Sequence, residues 1–139
     1  MMSLKLDYDH PAAELRTDPT GFIRLTWKPH RRTLAEFQLV MEQFLRLLAR
    51  QGTGLALIDQ RQMPALIPAE QDWTLSDWLP RATRQAGYRY GAVLPADDVI
   101  ARLATTNILM QAPDWPVYRL FAEELVAIDW LQRQLAVKS

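Results

Sequence analysis

The stretch GLALIDQRQMPALIP, residues 54–68, decides the fold. Its four apolar residues, 55–58, do not alternate with polar ones, and they run directly into Asp59, Gln60 and Arg61. A short run that is apolar on both sides is typical of a central strand in a parallel sheet, because helices cover both faces of such a strand. The polar burst then marks the place where the strand ends and the chain returns to water.

Strands precede this stretch, and a helix joins them to it. Residues 4–9, 13–17 and 23–27 alternate between apolar and polar side chains, a pattern that predicts three antiparallel strands with one buried and one wet face. Thr33 and Glu36 have the spacing of a capping box, which starts a helix by satisfying its free amides. The apolar stripe of that helix consists of Phe37, Val40, Met41, Phe44 and Leu48, and Gly52 ends it.

Strands and helices alternate through the rest of the chain. Residues 88–94 and 117–121 read as strands. A helix begins at Pro68 and is interrupted or restarted at Pro80, which cannot donate a helical hydrogen bond. Two further helices are predicted, one capped by Asp97 or Asp98 and running to about Met110, the other beginning near Ala122 with Leu125, Ile128, Leu131 and Leu135 facing inward.

The resulting order, βββαβαβαβα, predicts an α/β fold with a mixed, mostly parallel sheet and helices mainly on one face. We expect residues 1–139 to form a single domain. Lys plus Arg and Asp plus Glu both number 16, and there is no cysteine. The charge balance argues against nucleic acid as a partner, and the lack of a long apolar run argues against a transmembrane segment. A soluble, cytoplasmic protein is expected.

Several spaced features resemble the STAS-like (anti-sigma-factor-antagonist-like) α/β domains, especially their small stand-alone bacterial members. They are a strand ending in Trp27 before a capped helix, then LIDQRQMPALIPAEQDW, LPRATRQAGYRYGAVLP and FAEELVAIDWL. The resemblance implies a regulatory or interaction module rather than an enzyme. Regulatory members carry a phosphorylatable Ser or Thr just after the strand that ends in Asp. Residues 59–62 here are Asp, Gln, Arg and Gln, so that switch is not expected.

The carboxyl ends of parallel strands meet at one edge of a sheet, where such folds usually bind ligands. The predicted topology places Lys28, Asp59, Arg61, Pro95 and Asp97 near that edge, together with the KPHRR loop. Tentative ligand-binding residues are therefore Lys28, His30, Arg31, Arg32, Asp59 and Arg61. The alternatives are a solvated basic loop without a ligand and a structural ion pair between Asp59 and Arg61.

Tryptophans supply the candidate interface. Trp27 and Trp130 lie at positions where the side chain should face the core, so core packing is their expected role. Trp73 and Trp78 lie five residues apart on a helix, a spacing that should keep them off one shared face. Trp115 lies between prolines in a loop. We therefore predict Trp73, Trp78 and Trp115 as tentative interface residues.

Catalysis has little support in the sequence. It contains two histidines, His10 and His30, and none of the usual glycine-rich or nucleophile motifs. We expect no catalytic residue, metal or cofactor. Three functional hypotheses remain. The first is a non-enzymatic module that binds a protein partner or itself, and the second is a carrier of a small acidic, amphiphilic or lipid ligand. The third is a hydrolase or transferase using His30, Asp59 and Arg61 together.

Overall fold

A computed structural model describes residues 5–137, and they form a six-stranded sheet with strands in the order β1-β2-β3-β4-β5-β6. The strands are β1 (Lys5–His10), β2 (Ala13–Thr17), β3 (Ile23–Trp27), β4 (Leu55–Asp59), β5 (Tyr90–Leu94) and β6 (Val117–Leu120). The β1–β2 and β2–β3 pairs are antiparallel, whereas the β3–β4, β4–β5 and β5–β6 pairs are parallel. The predicted α/β class with a mixed, mostly parallel sheet is confirmed.

The helices are α1 (Leu34–Gln51), α2 (Pro68–Trp73), α3 (Leu79–Ala86), α4 (Val99–Gln111) and α5 (Glu124–Val137). The predicted capping box starts α1, since the Thr33 hydroxyl accepts from the Glu36 amide and the Glu36 carboxylate accepts from the Thr33 amide. Gly52 ends α1 with a φ of 79°, in the left-handed region that glycine adopts without strain. Asp98 is the predicted cap of α4 and accepts from the Ala101 amide.

Strand β4 lies in the middle of the parallel part of the sheet, between β3 and β5. All five of its residues are buried. Successive side chains of a strand point to opposite faces, so each face of the sheet takes every second residue. On one face, Ala56 and Ile58 pack under α1 and α3, while on the other, Leu55 and Leu57 pack under α5. The non-alternating run 55–58 is thus explained by burial on both faces.

The two faces are covered unequally, in agreement with the prediction of helices mainly on one face. The helix-rich face carries α1, α2, α3 and α4 over the larger apolar cluster. The opposite face carries α5, which packs over β4 and β5 through Ala127 and Leu131. The remaining strands on that side present polar residues, among them Glu14, Arg16 and Arg24, which are partly exposed.

The helical segment 68–86 is not broken at Pro80; α3 begins at Leu79 with Pro80 in its first turn, in agreement with the predicted restart. Residues Thr74–Trp78 instead form a π-helical turn between α2 and α3, in which the Leu79 amide donates to the Thr74 carbonyl five residues earlier. Proline has no amide hydrogen and its ring collides with the carbonyl four residues before it. Widening the helix just before Pro80 accommodates that ring, and π-turns of this kind are frequent at functional sites.

Three details of the prediction are wrong or fall outside the structure. A bulge at Asp7 puts Leu6 opposite Arg16 and Tyr8 opposite Leu15, so Leu6 and Tyr8 lie on different faces and Leu6 is exposed. Leu4 lies outside the described residues. Of the four residues of α5 predicted to face inward, Leu131 is buried and Ile128 and Leu135 are partly buried, but Leu125 is 80% exposed, and the second buried position is Ala127.

Candidate functional site

The end of β4 divides its polar residues between the two faces of the sheet. Asp59 is the last residue of the strand and continues the series of Leu55 and Leu57, so its side chain lies on the α5 face. Gln60 continues the series of Ala56 and Ile58 and lies on the helix-rich face. Both side chains are largely buried. The polar side chains of Asp59 and Gln60 therefore lie in two separate environments rather than in one site.

An ionic network surrounds Asp59 on the α5 face. The Arg61 side chain donates from Nε to Asp59 Oδ1 over 3.0 Å and from Nη2 to Asp59 Oδ2 over 2.8 Å. Arg24 Nη2 lies 3.3 Å from Asp59 Oδ2 and 2.8 Å from Glu124 Oε1. Arg61 Nη2 also reaches Glu124 Oε1 over 3.1 Å. Two arginines and two carboxylates thus neutralise one another across β3, β4 and the start of α5.

Burial and hydrogen bonding oppose each other at Asp59. Burial alone would raise the pKa of its carboxyl, because it disfavours the charged form. The hydrogen bonds from the Arg61 side chain and backbone amide, with the charges of Arg61 and Arg24, outweigh burial and hold the pKa below its usual value. The pKa of Glu124 is also lowered, chiefly by its hydrogen bond from Arg24. Both carboxyls are therefore charged at neutral pH, as the structural ion-pair alternative requires.

The other predicted ligand-binding residues do not gather around this network. Lys28 Nζ lies 2.6 Å from Asp9 Oδ1, at the side of the sheet where β1 and β2 turn. Arg32 Nε and Nη2 each donate to a Glu70 carboxylate oxygen over 2.8 Å, and both side chains are almost completely buried. His30 and Arg31 are exposed. The KPHRR loop thus joins the first strands to α2 through an internal ion pair.

A shallow depression adjoins Asp59 and Arg61 at the carboxyl edge of the strands. Its lining also includes Thr26, Trp27, Gln62 and Asp97. Within this lining, as the structure describes it, His30 is absent. The predicted enzymatic combination of His30, Asp59 and Arg61 is therefore not assembled in one depression. The His10 imidazole, for its part, accepts at Nδ1 from the Ala12 amide.

An apolar cavity of about 70 Å³ lies on the other face, between the sheet and the helices. Its lining comes from β3, β4, β5 and β6 below and from α1, α3, α4 and the π-turn above. The residues are Leu25, Trp27, Phe37, Met41, Phe44, Ile58, Gln60, Met63, Leu66, Thr74, Trp78, Leu79, Val93, Thr105, Ile108, Leu109, Ala112 and Tyr118. Those that are partly exposed include Thr74, Leu109 and Ala112, so the cavity approaches solvent between the π-turn and the end of α4.

Arg32 and Gly91 help to shape this cavity. The Arg32 guanidinium lies over the rings of Trp27 and Phe37, at 5.2 and 5.5 Å from their centroids, and both rings line the cavity. A Cβ atom at Gly91 would lie only 2.5 Å from the Tyr118 ring, which forms part of the lining. Strand β5 thus needs glycine at this position for Tyr118 to pack against it.

Gln60 and Thr105 are buried polar residues in the otherwise mostly apolar wall. The Thr105 hydroxyl on α4 donates to Gln60 Oε1 over 2.6 Å. Sequence reasoning chose Asp59 and Arg61 and passed over Gln60. The sequence did contain a signal for Gln60. Strand alternation assigns residues 59 and 60 to opposite faces of the sheet, and one of those faces was predicted to be covered by most of the helices.

The predicted interface tryptophans have different environments. Trp78 is 1% exposed and its indole donates to the Met41 carbonyl over 2.7 Å, so this side chain belongs to the core and cannot contact a partner. Trp73 is partly exposed and packs edge-on against Phe37. The π-turn between Trp73 and Trp78 lets both rings face α1, contrary to the predicted spacing argument. Trp115 is exposed and rests on Tyr90.

Comparisons of this chain with protein-family models, with curated proteins and with solved structures find no match. Over residues 5–137, no helix combines the length and the apolar character that a membrane crossing requires. Nor does this part of the chain contain a group of three or more His, Asp or Glu residues placed to hold a metal ion.

Proposed function

We propose that this protein is a non-enzymatic binding module that takes up a small apolar molecule in the cavity between its sheet and its helices. The observation that carries the proposal is the cavity itself, with its aromatic lining. Apolar cavities can take up small apolar molecules, and an engineered one of roughly 150 Å³ is known to bind benzene or xenon. A concave apolar site with few polar groups is also the usual form of a small-molecule site.

Helix α4 supports the proposal as the movable wall of the cavity. The present volume of about 70 Å³ is less than half of the benzene-binding example, so a ligand of that size needs the wall to yield. Helix α4 buries Ala101, Thr105 and Ile108, whereas most of its other side chains are partly or fully exposed. A helix with few buried apolar side chains can shift at low energetic cost.

The geometry favours a neutral ligand over the acidic one expected from the sequence. Arg61 and Arg32 already hold protein carboxylates, and neither residue lines the cavity. A ligand carboxylate inside the cavity would lose its hydration without gaining a cationic partner. A lipid carrier is also less favoured, because an acyl chain requires far more volume than this cavity offers.

Thermal unfolding in the presence of benzene tests this function. Benzene at ten times its dissociation constant should stabilise the protein by about 1.4 kcal/mol and raise the Tm by a few degrees. Ala112→Phe places a ring in the partly exposed part of the lining and should abolish the shift. Ala35→Phe, on the exposed side of α1, is the matched control and should retain it. No shift in the unaltered protein, or an equal shift in Ala112→Phe, would refute the proposal.

Self-association is the second candidate function. It is favoured by Ile100, Leu103 and Met110, which are exposed and whose spacing of three and seven residues puts them along one side of α4. Exposed apolar patches commonly mark interaction sites. Light scattering with size exclusion should find a dimer of the unaltered chain and a monomer of Leu103→Gln/Met110→Gln. A monomer for both proteins at high concentration contradicts this candidate.

We propose in addition that the chain is a cytoplasmic, STAS-like bacterial domain without the phosphorylatable residue. The order of strands and helices and the strand that ends in Asp59 support this assignment. Detection of sequence relatives that carry Ser or Thr at the position of Gln60 or Gln62 is the observation that would strengthen it.

A further inference from the structure

We propose that the Gln60 amide is a ligand-recognition group, and that the cavity selects uncharged molecules carrying a carbonyl or another hydrogen-bond acceptor. This inference rests on the proposed function of the cavity and adds the chemical class of its ligand. Its starting point is a buried side chain with an unused donor. Gln60 is 8% exposed, and its side chain lines the cavity.

The hydrogen bonds around Gln60 leave one end of its amide free. Its backbone amide donates to the Leu94 carbonyl, and its backbone carbonyl accepts from the Met63 amide. Its side-chain oxygen accepts from the Thr105 hydroxyl over 2.6 Å. Among the residues that the structure describes, the side-chain amide nitrogen has no hydrogen-bond partner. Its two hydrogens are therefore available to a molecule in the cavity.

The surroundings define what this nitrogen can bind. Because the Gln60 oxygen is engaged by Thr105, the free end of the amide acts only as a donor, and its complement is an acceptor such as a ketone, ester or amide oxygen. The lining contains no lysine, arginine, aspartate or glutamate in the described part of the chain, so a charged acceptor would be buried without a counter-ion. A hydrocarbon that covers this donor without accepting from it would leave the donor unpaired, which costs free energy. Neutral acceptors are therefore preferred over both hydrocarbons and anions.

Sequence position explains why this amide is held so firmly. Gln60 immediately follows β4, whose hydrogen bonds to β3 and β5 fix the backbone. Thr105 is one of the buried residues of α4 and faces the sheet. The Thr105–Gln60 hydrogen bond joins the movable helix to the rigid strand end. A ligand that binds the amide nitrogen thus leaves the contact between α4 and the sheet intact.

Matched probes test the inference by NMR titration of the full chain. Cyclopentanone and methylenecyclopentane have nearly the same shape, and the first carries an acceptor oxygen. The unaltered protein should bind cyclopentanone about five- to tenfold more tightly, as expected for one buried hydrogen bond. Gln60→Met keeps the length of the side chain and should remove that preference while still binding the hydrocarbon. Gln62→Met, at an exposed position outside the cavity lining, is the control and should behave like the unaltered protein.

The outcomes separate this inference from the proposed function. Equal affinity for the two probes, or a ketone preference that survives Gln60→Met, overturns the role of Gln60 while the cavity remains a binding site. Tighter binding of pyrrole, which donates a hydrogen bond, than of cyclopentanone also overturns it. Binding of neither probe to the unaltered protein removes the proposed function together with the inference.

Discussion

Asp59 and Gln60 are neighbours in the chain, yet they serve opposite faces of the sheet. Asp59 enters a network of charges in which each partner is satisfied by another residue of the protein. Gln60 enters an apolar cavity with half of its amide unused. A self-satisfied polar cluster stabilises a fold, whereas an unpaired donor in a cavity is free to bind something else. The difference between the two residues is whether the protein itself completes the hydrogen bonds of their side chains.

The largest expected effect concerns the ion pair that borders the cavity. Arg32 and Glu70 have side-chain exposures of 4% and 2%, and they form two parallel hydrogen bonds. Glu70→Gln leaves the Arg32 charge buried without its counter-ion and should lower the free energy of unfolding by about 3–5 kcal/mol. Urea denaturation measures the change, with exposed Glu123→Gln as a control expected to stay within about 0.5 kcal/mol. A loss below about 1 kcal/mol would show that the helix-rich face does not depend on this pair.

The network around Asp59 should produce a smaller effect that depends on pH. The folded-state pKa values of Asp59 and Glu124 are lowered, so their stabilisation is complete above the unfolded-state values and is lost as pH falls through the folded ones. Below about pH 4, the usual pKa of these side chains, the unaltered protein should lose stability at up to about 1.4 kcal/mol per pH unit for each carboxyl.

Asp59→Asn provides the comparison for that pH dependence. It should destabilise the protein at pH 7 by about 1.5–3 kcal/mol, which is less than Glu70→Gln, because Arg61 is 41% exposed and can turn to solvent. It should also flatten the slope of stability against pH between about pH 4 and 2. Parallel slopes for the two proteins in acid-titrated urea melts would assign the acid sensitivity to other carboxyls.

The strands of the sheet could be predicted from the sequence, but the ion pairs at the edge of the sheet could not. Alternation in 13–17 and 23–27 and its absence in 55–58 located strands and their burial, because side-chain periodicity is a local property of the backbone. The ion pairs were not accessible in this way. Arg32 and Glu70 are 38 residues apart, and Arg61 and Glu124 are 63 residues apart, so their pairing depends on the packing of whole elements.

Local geometry caused the remaining errors. The bulge at Asp7 shifts the register by one residue and turns Leu6 to the outer face, and a regular alternation cannot show such an insertion. The π-turn before Pro80 changes the angular separation of Trp73 and Trp78 around the helix axis. A prediction that assumes an ideal helix of 3.6 residues per turn therefore gives the wrong separation. Both are departures of a single turn or residue, and each is accommodated by the surrounding packing.

The smallest expected change in the free energy of unfolding concerns the Gln60–Thr105 pair in the cavity wall. Replacing both polar side chains together should change the stability little. Thr105→Val alone leaves the Gln60 side-chain oxygen buried without its donor and should cost about 1–3 kcal/mol. Gln60→Leu/Thr105→Val removes donor and acceptor together, and because similar apolar groups replace them, the double variant should lie within about 1 kcal/mol of the unaltered protein. Urea denaturation of both variants measures this non-additivity. If instead the double variant is the less stable of the two, the Gln60 amide is a structural requirement of the helix-rich face, as Asp59 is of the other, and the contrast between the two neighbours disappears.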